Sequence, residues 1–124
     1  MPKEKKIEIF IGKGTGGYSL HYRKENEFQY PEIVIIRGRF YDIMEGLLGI
    51  SKDIYKKNIK KLYFKEYDWN KIPKKEKEIF KGVVNILEKF SIGGKNLEYK
   101  IKEIKKTLIH KNEESFNSLY ALVK

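Results

Sequence analysis

Over the first third of the chain, apolar and polar residues alternate with a period of two. Ile7, Ile9 and Ile11 are interleaved with Lys6, Glu8 and Phe10, and Tyr18, Leu20 and Tyr22 with Ser19, His21 and Arg23. This is the pattern of strands with one buried face. Between the two runs lies Gly12-Lys13-Gly14-Thr15-Gly16-Gly17, whose glycines accept positive φ angles, so the runs predict a hairpin. A turn holding Pro31 precedes a third run, Glu32 to Arg39, apolar on both faces over its first part. Such a run predicts a strand in the middle of a sheet.

The period then lengthens. Tyr41 to Leu48 predicts a short helix with Ile43, Met44, Leu47 and Leu48 inward, stopped by Gly49. Ser51 is placed to cap another, on which Tyr55, Ile59 and Leu62 recur at helical spacing. From Lys61 to Trp69 the alternation returns, with Leu62, Phe64, Glu66 and Asp68 on one side and Tyr63, Lys65, Tyr67 and Trp69 on the other, predicting a fourth strand. Pro73 suits the first turn of a helix striped by Ile79, Val83, Ile86, Leu87 and Phe90 and stopped by Gly93 and Gly94. Asn96 is placed to cap a second helix, striped by Leu97, Ile101, Ile104 and Leu108, and Asn112 a third, striped by Phe116, Leu119, Tyr120 and Val123. Three amphipathic helices need something to cover. The expected class is α+β: a four-stranded, mainly antiparallel sheet with an N-terminal hairpin, covered by C-terminal helices. Residues 1–124 are read as one domain, sheet-rich over 1–69 and helical over 73–124.

Composition narrows the picture. With 124 residues, 40% apolar and 35% charged, the chain can build one sizeable core without metal or disulfide support. Zero cysteine removes disulfides, zinc–thiolate sites, iron–sulfur clusters and thiol nucleophiles together. The aliphatic run Ile33 to Ile36 and the run Leu119 to Val123 fall far short of the ~18 residues of a membrane span. The N-terminal Met-Pro-Lys-Glu-Lys-Lys lacks the apolar core of a secretory signal. A cytoplasmic protein with no membrane association is expected.

Charge points to an anionic partner: 27 Lys and Arg against 17 Asp and Glu give +10. The excess is spread evenly, with 13 basic and 8 acidic residues in 1–62 and 14 and 9 in 63–124, so it marks no basic tail. A Lys- and Ile-rich vocabulary also arises from composition alone. Only three of the 27 basic residues are arginine: Arg23, Arg37 and Arg39.

Four constellations are candidate sites. In the glycine loop, Lys13 and Thr15 with clustered backbone N–H groups can touch phosphate oxygens, although the order of residues is not that of a phosphate-binding Walker loop and a strand rather than a helix follows. On the outward side of the first hairpin, His21 and Arg23 project together, the histidine as a ligand contact and the arginine as a phosphate or carboxylate fork. Arg37 and Arg39 are expected on one side of the third strand, where planar, bidentate phosphate recognition suits arginine, with pairing to neighbouring carboxylates as the competing reading. Tyr63, Tyr67 and Trp69, spaced around Lys65, form a candidate aromatic platform for stacked bases, the competing reading being packing under the helices. The lysines at 100, 102, 105 and 106 alternate with Glu98 and Glu103, as on an ordinary helix surface stabilised by close pairs.

No paired carboxylates at informative spacing, metal triad or nucleophile–base pair stands out. The reading is a non-catalytic basic protein, without cofactor or metal, engaging nucleic acid through phosphate contacts and forming a homodimer through an exposed strand edge. Two alternatives come from other classes. One is an interaction protein, such as a viral or mobile-element inhibitor that blocks an anionic groove of a host enzyme. The other is a protein that sequesters a nucleotide or cyclic nucleotide.

Overall fold

The computed structural model describes residues 6–14, 16–25, 31–57, 61–66, 71–92 and 97–123. The class is α+β. Strands β1 (Lys6–Gly14), β2 (Gly17–Glu25) and β3 (Pro31–Gly38) lead into helix α1 (Phe40–Lys57). Strand β4 (Lys61–Glu66) and helices α2 (Lys74–Ser91), α3 (Leu97–Thr107) and α4 (Glu113–Val123) follow. The sheet order is β3-β2-β1-β4. The first three strands are antiparallel neighbours. The backbone of β4 pairs with β1 in parallel, Ile7 opposite Leu62 and Ile9 opposite Phe64, and the intervening helix α1 makes the crossover that a parallel neighbour requires.

The alternation read from the sequence sorts the first three strands into an inner and an outer side. Ile7, Ile9, Ile11 and Leu20 are completely buried and Tyr22 nearly so. Helix α1 lies over β2 and β3, and α2 over β4. In the core, Ile43, Met44, Leu47 and Ile50 of α1 meet Ile79, Phe80 and Leu87 of α2. A Cβ on Gly46 would stand 2.6 Å from Ile36 Cδ1 and 2.8 Å from Leu20 Cδ2. The absence of a side chain there is what lets α1 lie close on the sheet.

Helix α2 is the pivot of the helical side. Its buried set, Ile79, Phe80, Val83, Val84, Ile86 and Leu87, is wider than a single stripe, because β4 lies on one flank and α1, α3 and α4 on others. Phe40 at the start of α1 joins these parts through ring contacts with Phe80 of α2 at 5.1 Å and Phe116 of α4 at 5.5 Å. Helices α3 and α4 thus lean chiefly on α2 and on each other, covering the helical layer rather than the sheet itself. Asn112 caps α4 as its side chain suggests, its Oδ1 accepting from the Ser115 backbone N–H at 2.9 Å.

Two expectations are corrected. The helix from Tyr41 does not stop at Gly49 and restart at Ser51; it runs unbroken to Lys57. Gly49 faces solvent with nothing near its missing side chain, so it costs only its helix propensity, ~1 kcal/mol. Ser51 bonds back to the Leu48 carbonyl at 2.6 Å instead of capping. The third strand is not central but an edge. Its doubly apolar character has another cause: Val34 and Ile36 pack inward, while Ile33 and Ile35 are 56% and 52% exposed. Asn96, Ile59, Gly93 and Gly94, together with residues 67–69 of the expected fourth strand, lie outside the described residues.

Candidate functional site

The outer side of the sheet carries three of the candidate residues, His21, Arg23 and Arg37, in three cross-strand rows. Ladder pairing sets Glu8 opposite Arg23 and Arg23 opposite Ile33 in the first row, Phe10 opposite His21 and His21 opposite Ile35 in the second, and Gly12 opposite Ser19 and Ser19 opposite Arg37 in the third. Because side chains alternate strictly along a strand, residues in register on these strands share a face. Phe10, Ser19, His21, Arg23, Ile33, Ile35 and Arg37 all line one shallow groove of ≈ 820 Å³. Arg23 and Arg37 are exposed, while His21 and Phe10 are half-buried. From strand rise and spacing, the Cα atoms of Arg23 and Arg37 are about 14 Å apart. Two cations therefore bracket an apolar middle.

Among the described residues, neither Arg23 nor Arg37 is in an ion pair with a carboxylate. Arg39 is different. Strand β3 ends at Gly38, whose φ of +157° turns the chain, and a Cβ there would collide with the Asp42 side chain. Arg39 then sits ahead of α1, its backbone N–H donating to Asp42 Oδ2 at 2.8 Å and its carbonyl accepting from the Asp42 and Ile43 N–H groups. It does not line the groove with Arg37, so the expectation that both share one strand side is corrected by the helix start.

Lys13 is on the other side of the sheet. It pairs in register with Tyr18 and places its Nζ 5.1 Å from the centre of the Tyr18 ring. That ring packs edge-on against Phe80, and its hydroxyl donates to Glu76 Oε2 at 2.6 Å. Burial, then the hydrogen bond to Glu76 and the charge of Glu76, push the Tyr18 hydroxyl well above the ordinary tyrosine range. Lys13 thus rests on the helix-covered side at the hairpin end, in a cation–π contact. Thr15, Tyr67 and Trp69 lie outside the described residues, as does the side chain of Tyr63, whose backbone pairs with Glu8.

Sequence reasoning placed His21 and Arg23 together beside Glu8 and Phe10, and the ladder keeps them so. It missed Ile33 and Ile35 as components of the same surface. The signal was present as an apolar run on both faces, but without the strand order it pointed to a central strand. No group of His, Asp and Glu among the described residues has the arrangement of a metal site, and no helix among them is long and apolar enough to cross a membrane. A second, smaller groove between α1 and the end of α3 holds Lys52, Lys105 and Lys111 beside exposed Ile109. There Lys111 is paired with Glu45 at 2.9 Å, so part of its charge is already met. Comparisons with protein-family models, with characterised proteins and with solved structures found no match for this chain.

Proposed function

We propose that this is a non-catalytic basic protein that binds nucleic acid through phosphate contacts, made on the outer face of its sheet. The observation that carries the reading is the pairing of Arg23 and Arg37, exposed at opposite corners of one groove and joined to no carboxylate among the described residues. A guanidinium fork at each end of one groove fits two phosphate groups. The net charge of +10 adds a long-range attraction for any polyanion. Contacts of this kind release counterions and are weakly sequence-specific, so affinity falls steeply with salt.

Fluorescence anisotropy with labelled oligonucleotides at 50 and 200 mM salt, the range over which phosphate contacts weaken, tests the proposal. Wild type is expected to bind at the lower salt and weaken on raising it, and Arg23→Gln with Arg37→Gln to weaken binding and flatten the salt dependence. Unchanged anisotropy at low salt removes the proposal.

A second reading is favoured by a specific feature: Ile33 and Ile35 are each more than half exposed, as in surfaces that dock a protein. In that case the partner is an acidic protein face, and oligonucleotides do not compete for it. The proposed protomer pairs with a second copy through β3, a sheet edge, which light scattering of the purified protein checks.

A further inference from the structure

The outer face is built for an unpaired strand with at least one base laid flat on it. We infer that the row Phe10, His21 and Ile35 is a stacking platform for nucleobases of single-stranded nucleic acid, with Arg23 and Arg37 holding the phosphates on either side. This rests on the nucleic-acid reading above and adds which form of nucleic acid is bound and which residues discriminate it.

Shape is the first argument. A duplex is read by an element that enters a groove, a helix or a two-stranded ribbon, and the major groove is about 12 Å wide. Here the candidate residues are spread over β1, β2 and the edge strand β3 on one face of a four-stranded sheet, which is about 14 Å across between its outer strands. Such a surface cannot enter that groove. A single strand can lie along it, as on other open sheets that bind unpaired bases.

Composition of the surface is the second argument. If phosphates were the sole target, the residues between the arginines would be polar. Instead Phe10 and Ile35 flank His21 in one row, with Ile33 alongside. Ile33 and Ile35, each more than half exposed, cost solubility unless they meet an apolar surface. The π-face of a base is such a surface, and its attached phosphate answers the adjacent guanidinium. Charge opposes the other simple occupant, the same face of a second copy. Two outer faces brought together would juxtapose Arg23 and Arg37 of each, in a protein already at +10. The anionic, ring-bearing ligand satisfies both features at once.

The test titrates full-length protein with three labelled probes of about 12 nucleotides, a length within single-strand site sizes: oligodeoxythymidine, a duplex, and an abasic strand with the same phosphates. The thymidine strand is expected to bind at least about tenfold more tightly than either of the others, the effect of roughly one stacked base. His21→Ala and Ile35→Ala, at positions that leave the buried side of the sheet intact, should each reduce that preference while leaving the salt slope unchanged. The arginine variants should lower the slope and keep the preference. If all three probes bind alike and the alanine variants change nothing, the stacking platform is overturned while nucleic-acid binding stands. If no probe binds, or an acidic peptide binds instead, the nucleic-acid reading itself falls.

Discussion

Ile9 and Ile35 are the same residue type in the same sheet, two strands apart, yet one is completely buried and the other 52% exposed. The inner side, with Ile7, Ile9, Ile11 and Leu20, is closed by α1 and α2. The outer side, with Phe10, His21, Ile33 and Ile35, is bounded by two arginines. Apolar surface on the inner side lowers free energy by leaving water on folding. On the outer side Ile33 and Ile35 stay more than half in water, so they contribute little to folding. Position in the strand, odd or even, decides which task a residue has.

The largest expected effect comes from the inner side. Leu20→Ala should destabilise the fold by about 2–5 kcal/mol, since it leaves a cavity at a completely buried site. Urea denaturation followed by circular dichroism measures this. Gly46→Leu should cost about 1–3 kcal/mol by forcing α1 off Ile36 and Leu20. Full retention of stability there would show that α1 is not held as closely as the contacts require.

Tyr18→Phe should cost about 1 kcal/mol, the net value of one part-buried hydrogen bond to Glu76. Its pH signature is more informative. The Tyr18 hydroxyl is held protonated above its ordinary pKa of 10.0 in the fold, so its contribution is complete below that value. It is lost progressively above pH 10, where the unfolded chain gives up the proton more readily. Tyr41 and Tyr120 are shifted the same way, the first mainly by burial and the second mainly by its hydrogen bond with Glu78. Denaturant midpoints measured from pH 8 to pH 11 should therefore fall more steeply at the alkaline end in wild type than in Tyr18→Phe, with some slope remaining.

The smallest effect belongs to the outer side. Ile35→Ala should alter stability by no more than about 0.5 kcal/mol, as at other exposed positions. A loss approaching that of Leu20→Ala would break the contrast between the faces, because Ile35 would then be a structural residue.

Much of this arrangement was legible in local pattern. Alternation at Ile7, Ile9 and Ile11 marked a strand with one buried side, and Asn112 ahead of Glu113 and Glu114 marked a helix start that the cap hydrogen bond realises. The failures share a cause. Gly49 and Ser51 carry strong local signals for a helix break, but burial of Ile50 and Ile54 on the same face as Leu47 outweighs them. At Arg39 the same sequence of basic residues continues, yet Gly38 and Asp42 redirect the chain into α1.

The composition of the chain determined the charge of +10, and the order of its residues determined the strand and helix periods, the inward sets and the sharing of a side by His21 and Arg23, through repeat distances shorter than one element. Only the tertiary structure decided that β3 lies at the edge, that Arg37 of β3 shares a face with Arg23 of the neighbouring β2 while Lys13 and Arg39 do not line that groove, and that Ile33 and Ile35 remain in water. Those outcomes depend on which strand is paired with which and on which side the helices settle. Long-range packing of the whole chain selects these, and no local period encodes them.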